Sequence, residues 1–344
     1  MKQLSSYGLA LLLAGLATHA VQAQIGGRAA FPFLSLPPSA QLAAQGSMSA
    51  SNRSSDPTQF FASPALLNAD MDHTAAASYV AYVTDIRQST AAYVFNTDKR
   101  GRFGLGLTYL NYGSFESFDA AGNTLGTFAV SEYALAVADS YTKGKFTFGL
   151  TGKLAVSGIA GNRALALAVD AGVLYQPGTE NFTVGVVVKN AGYMLVPYTA
   201  GNREPLPLDV QLGATVKPEH MPLRFSVTAH HLHQWNIQYL DPNARGTLNA
   251  NNVETKPTFN WPDNLARHFT LAAEFVPSKS FHLRVGYNHL QGRELRLDNV
   301  SGGAGFSYGA MVRIAQFQLD YTYATLQAAG SSNYFTVSRS FGKK

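Results

Sequence analysis

The densest run of reactive side chains in the chain is His230-His231-Leu232-His233-Gln234-Trp235. Neutral imidazoles bind zinc well, but a zinc site needs three or four donors converging on one point. On a strand, side chains alternate between faces, so His231 and His233 would share one face while His230 points the other way. Two ligands fall short of a site, and a chain without cysteine has no thiolate to complete one. The run reads as polar side chains at a strand end beside an interfacial Trp235, with no metal and no cofactor implied. Phosphate chemistry fails on spacing. Gly152-Lys153 is followed by Leu154 instead of Ser or Thr, and Thr147 stands where a phosphate loop needs its first glycine. Gly303-Ala304-Gly305 meets Tyr308 where a dinucleotide loop needs its third glycine. No nucleophile elbow and no His-Glu-x-x-His occurs, and no spacing pairs a Ser, His and Asp. No catalytic residue is predicted, and the chain is read as a non-enzyme.

What remains are isolated charges: Lys153, Asp170, Lys189, Glu274, Arg284, Arg313 and Asp320. Each sits within a stretch of strict period-two alternation, the pattern of a half-buried strand. Phe146, Phe148, Leu150, Leu154 and Val156 alternate with Thr147, Gly149, Thr151, Lys153, Ala155 and Ser157. Phe281, Leu283, Val285 and Tyr287 alternate with His282, Arg284, Gly286 and Asn288. Phe317, Leu319, Tyr321 and Tyr323 alternate with Gln318, Asp320, Thr322 and Ala324. About fourteen such runs follow one another from Ala75 to Phe341. One face is fully apolar; the other is small and polar with few charges.

Composition decides what covers the apolar face. Only 14% of the 344 residues are charged, against about 25% in a soluble domain. The 26 basic residues form no run, which leaves nucleic-acid binding without an electrostatic footprint. A wide, polar-lined barrel in lipid fits this balance better than a soluble sandwich. The connections support it. Those at Thr97 to Gly101, Thr142 to Lys145, Pro177 to Asn181, Lys217 to Pro222, Val276 to Ser280 and Ile314 to Gln316 are short. Those at Gly113 to Gly126, Gly158 to Asn162, Tyr193 to Pro207, Ile237 to Asn264, Gly292 to Gly302 and Gln327 to Asn333 are predicted to be longer. Phe103, Phe146, Phe182, Phe225, Phe281 and Phe317 follow the short turns as one aromatic girdle, with Tyr109, Tyr112, Tyr287 and Tyr323 near the other. The expected fold is all-β: a transmembrane antiparallel β-barrel of about 14 strands with an N-terminal plug.

The chain divides accordingly. Lys2, the apolar run Leu9 to Ala17 and the small-residue end Val21-Gln22-Ala23 make residues 1–23 a secretory signal. Residues 24–74 are irregular and proline-rich, with a short helix expected over Ser39 to Gln45, and are predicted to plug a lumen too wide for wall side chains to fill. Residues 75–344 form the barrel. Outward docking of a partner is expected on the longest connection, through Tyr239, Phe259 and Trp261.

Three stretches carry a family resemblance. Gln24-Ile25-Gly26-Gly27 with Phe31, Leu34 and Leu36 resembles the mature N-terminus of the PorQ group of the type IX secretion system. Phe60 to Asn68, with Ser63-Pro64-Ala65 at its centre, resembles the Asn-Pro-Ala segment of the PorV/PorQ group and of FadL-like outer-membrane barrels at large, Ser63 replacing the usual Asn. Phe103 to Phe115, followed by Gly126-Thr127-Phe128, is similar to the third strand and first long loop of that group. The resemblance implies a fourteen-strand barrel with an N-terminal hatch in a Bacteroidota-type outer membrane. It implies as partners a PorZ-like surface protein, with a PorU-like sortase and a PorV-like barrel in one attachment complex. A FadL-like transporter of hydrophobic small molecules is the alternative it leaves open.

Overall fold

The computed structural model describes residues 29–97, 101–178, 181–199, 201–239, 247–248, 254–255, 258–295, 303–327 and 330–342. The expected signal, the start of the plug and parts of the longest connection lie outside them. The strands are β1 (Thr74–Ala81), β2 (Arg87–Thr97), β3 (Gly101–Phe118), β4 (Thr124–Lys143), β5 (Phe146–Ile159), β6 (Asn162–Tyr175), β7 (Phe182–Val196) and β8 (Asp209–Val216). They continue as β9 (Leu223–Ala229), the small pair β10 (Thr247–Leu248) and β11 (Glu254–Thr255), then β12 (Phe269–Ser278), β13 (Phe281–Asn288), β14 (Phe306–Ile314), β15 (Phe317–Gln327) and β16 (Gly330–Ser340). All but β10 and β11 pair antiparallel with their neighbours, and β1 pairs with β16, so fourteen strands close into a barrel without an edge. Closure satisfies every backbone group within the wall, the condition for crossing a bilayer with strands. No described helix is long and apolar enough to cross a membrane.

The period-two pattern determines which way each side chain points. On β5, Leu150 is 59% exposed and its neighbour Thr151 is fully buried. Leu283, Val285, Leu319, Tyr321 and Val337 face outward in the same way around the wall. A continuous outer surface of Leu, Val, Phe and Tyr is far larger than water tolerates on a folded protein, so lipid is its solvent. Phe146, Phe182, Phe225, Phe281 and Phe317 all point outward at the short-turn end. Near the opposite end Tyr109 stacks on Tyr133 with centroids 4.7 Å apart. Tyr112, expected in that girdle, instead points inward and donates to Glu132 Oε2 at 2.7 Å.

Three connections differ from expectation for local reasons. Gln327 to Asn333, expected to be long, is mostly strand, because β16 starts at Gly330 and the ladder runs from Tyr323↔Asn333 to Gln327↔Gly330. Gly158 to Asn162 is a tight hairpin, because Ala160 (φ 48°) and Gly161 (φ 86°) both take the left-handed conformation that two-residue hairpins require. Gly113 to Gly126 is mostly paired ribbon. The ladder bulges after Asn111 and resumes from Ser114↔Ala129 to Phe118↔Thr124, so β3 and β4 run on past the rest of the wall. Other strands are short. β8 and β9 have 8 and 7 residues, below the roughly nine to eleven of a full crossing. There the outer rim is built by residues 230–239, by helix α2 (Trp261–Arg267) and by α3 (His289–Glu294).

The segment before β1 lies inside the barrel. Phe31 is buried near the outer end, where Ala30 N donates to Pro205 O. The short helix α1 (Ala40–Ala44) then packs on β13 to β16, and Phe341 N donates to His73 O where the segment meets the short-turn end. Ser39 caps α1, its Oγ accepting from Leu42 N at 3.4 Å. Single turns of 3₁₀ helix at Pro57–Phe61, Pro64–Leu66 and Ala69–Met71 fold the remainder.

Candidate functional site: the lumen and its outer rim

The wall receives this inner segment on glycines where an added Cβ would clash with it. Gly149 on β5 and Gly172 on β6 are register partners. A Cβ on Gly149 would lie 2.4 Å from Pro64 C, and one on Gly172 would lie 2.6 Å from Ser63 Oγ. Ser63, Pro64 and Ala65, read from the sequence as the plug motif, thus rest directly on bare strand backbone, and all three are buried. On β7 and β8 the register partners Gly185 and Gly213 receive Ala50 and Ser51 in the same way. Hydrogen bonds fix the contacts: Ala40 N donates to Thr336 Oγ1 (2.9 Å), Thr322 Oγ1 to Ala40 O (2.7 Å) and Thr183 Oγ1 to Ser51 O (2.8 Å). These inward strand glycines make room for the chain's own N-terminal segment.

The charges read from alternation all occupy inward or bulge positions, and they gather into two networks. Arg284 centres the first. Its Nε donates to Glu274 Oε1 at 2.7 Å and its Nη1 reaches over β14 to Asp320 Oδ1 at 2.5 Å. Glu274 also accepts from Arg224 Nη1 (2.8 Å) and His282 Nδ1 (2.9 Å). Gln318 Nε2 donates to Asp320 Oδ2 (2.8 Å), and Gln318 Oε1 accepts from Arg313 Nη2 (2.6 Å). In the second, Lys153 Nζ meets Asp170 Oδ2 at 2.6 Å and donates to Asn190 Oδ1 at 2.9 Å. Asn190, left-handed at φ 56°, forms the bulge of β7, and half-buried Lys189 precedes it. Arg224, His282 and Asn190 were missed in the sequence because each looks like an ordinary strand residue. Arg224 and His282 had one signal, an alternating position on the polar face; Asn190 had none, because it turns inward only through the bulge. These networks hold charge in fixed pairs, and no catalytic constellation emerges from them. No group of three or more His, Asp and Glu suited to a metal occurs among the described residues.

Toward the outer end the lumen holds an apolar cluster. Phe31 and Phe33 pack with Leu110, Met194, Leu206, Tyr112 and Tyr198, and Phe31 stacks on Tyr198 at 6.3 Å.

The His run lies at the outer rim and off the strand, because β9 stops at Ala229 and His231 turns left-handed (φ 55°). Alternation therefore does not hold there. His230 Nδ1 and His231 Nδ1 are 2.7 Å apart, His231 N donates to Asp209 Oδ1 (2.6 Å), and His268 Nδ1 bonds His230 O (2.7 Å). Burial, reinforced by the facing His231, pushes the His230 imidazole down to about 3. Trp235 stacks on His268 at 5.5 Å, and its carbonyl accepts from Asn264 Nδ2 at 2.8 Å. Tyr239, Phe259 and Trp261 are all solvent-facing on this rim, at 51%, 43% and 55% exposure. Trp261 opens α2, whose cap Asn260 accepts from Asp263 N.

No protein-family model and no curated protein matches the sequence. Solved structures do. The chain is similar to the toluene transporter TbuX of Ralstonia pickettii, with 11% identity, 91% of this chain and 100% of that one covered, and a TM-score of 0.51. It is similar to a deltaS2 mutant of the monoaromatic hydrocarbon channel TodX, with 12% identity, 87% and 96% covered, and a TM-score of 0.50. A Pseudomonas aeruginosa FadL homologue gives 12% identity, 84% and 95% covered, and a TM-score of 0.46. At these identities the likeness is one of fold: a closed, fourteen-strand antiparallel barrel.

Proposed function

We propose that the protein is exported through a signal at residues 1–23, enters the outer membrane, and serves there as a scaffold rather than as an open channel. The observation that carries this reading is the inner segment, which is seated on glycines of β5 to β8 on one side and on Gly286 of β13 and Gly309 of β14 on the other, and packs Phe31 and Phe33 into the apolar upper lumen. A barrel filled by its own chain offers its outer rim as its working surface. Large exposed aromatics such as Tyr239, Phe259 and Trp261 are the side chains that anchor protein interfaces. The PorQ-like stretches support a partner of the PorZ-like kind, within a type IX attachment complex that also holds a PorU-like sortase and a PorV-like barrel. In cells, replacing Tyr239, Phe259 and Trp261 together by Ala should release the surface partner and leave the heat-modifiable barrel intact. A partner retained by that variant would remove this rim from the docking site. A second reading, transport of hydrophobic small molecules, draws on the fold likeness to a toluene transporter. Loss of uptake of such a molecule, with the partner still bound, would favour it.

A further inference from the structure

A cavity of about 780 Å³ lies at the short-turn end, between the inner segment and the wall. Volumes of this order hold small-molecule ligands. Six cations line it: Arg53, Lys217, Arg224, Lys279, Arg284 and Arg313. His282 joins them, and Asp70 is the one carboxylate in the lining. Arg224 and Arg284 are neutralised from behind by Glu274 and Asp320. Arg53 donates to Gln176 Oε1. Lys217, Lys279 and Arg313 are in a different state: none makes an ion pair among the described residues. Arg313 is nevertheless held in place, its Nη2 donating to Ser55 Oγ and Gln318 Oε1. Its Nε and Nη1 donors have no partner among the described residues, although a guanidinium offers five donors in a fork matched to oxyanions.

Uncompensated cations facing a confined space concentrate anions there. We propose that this basal cavity is a binding site for a small oxyanion, a phosphate or carboxylate group, held by Arg313, Lys217 and Lys279. The group can belong to a free anion or to a lipid headgroup. The site is independent of any partner at the outer rim.

Calorimetric titration of the detergent-solubilised full chain with pyrophosphate, and separately with dihexanoyl phosphatidic acid, tests this. Saturable binding is expected, weakened about tenfold or more in Arg313→Gln combined with Lys217→Gln. Arg163→Gln, the loss of one positive charge at an exposed position at the outer end, as in Lys279→Gln, should leave affinity unchanged. Lys279→Gln, in an exposed turn, should alone weaken binding about threefold, which keeps the test open if the double variant fails to assemble. Binding of pyrophosphate assigns a free anion, and binding of the phosphatidate alone assigns a headgroup; either supports the site. Absence of saturable binding to both, or equal weakening by Arg163→Gln, overturns it.

Discussion

Arg284 joins two buried carboxylates: Glu274, which Arg224 and His282 also hold, and Asp320, which has no other ion pair among the described residues. Removing one partner of a buried ion pair costs about 3–5 kcal/mol, because a charge is left without compensation. Arg284→Met should therefore lower the urea midpoint of the barrel sharply, while Arg284→Lys, which keeps the charge and loses the two-armed geometry, should fall between. An unchanged midpoint in the Met variant would mean that water already compensates Glu274 and Asp320. At the outer rim the predicted effect depends on pH. His230 is held neutral down to about pH 3 by burial, whereas an opened rim exposes an imidazole of ordinary pKa near 6.5. The open form alone takes up the proton, so rim stability is complete above about pH 6.5 and falls as pH drops toward 3. Proteolysis of the native protein at residues 230–239 should accelerate severalfold between about pH 7.5 and 5.5, and His230→Gln should flatten that rise. A cleavage rate independent of pH would contradict the assignment.

At the scale of elements, the seat of Ser63, Pro64 and Ala65 on Gly149 and Gly172 makes a sharp prediction. Gly149→Val inserts a side chain where a Cβ alone lies 2.4 Å from Pro64 C, so the inner segment must leave its seat while the outer face of β5 is untouched. Heat modifiability should survive, and protease should reach the inner segment; continued protection would show the seat to be adaptable. Much of the wall was legible in the sequence, since alternation is a local property: Leu150 against Thr151, or Leu319 against Asp320, needs no knowledge of neighbours. Pairing was not legible. Arg284 and Asp320 meet across an intervening strand, and Lys153 meets Asp170 only because β5 and β6 take one register. The extended ribbon of β3 and β4 was hidden by Gly113 and Gly126, whose positive φ reads as loop although the ladder bulges and continues. The path of residues 29–73 was hidden for a related reason. It is dictated by shape against inward glycines, and neither shape nor facing strand is written in the segment itself.

At the scale of the molecule, the outer surface and the filled lumen are two halves of one account. Leu150 faces lipid, and Arg at a midplane lipid-facing site costs roughly 2–4 kcal/mol, so Leu150→Arg should reduce the assembled, heat-modifiable fraction strongly. Normal assembly of that variant would place β5 outside the bilayer. The central claim is that the chain's own N-terminal segment closes the barrel. Single-channel recording in planar bilayers tests it most directly, comparing the full chain with a variant that keeps the export signal and lacks residues 29–72. The account predicts a full chain that is silent or nearly so, and a deletion variant that opens stable, large conductances. Equal conductance from the two would contradict it.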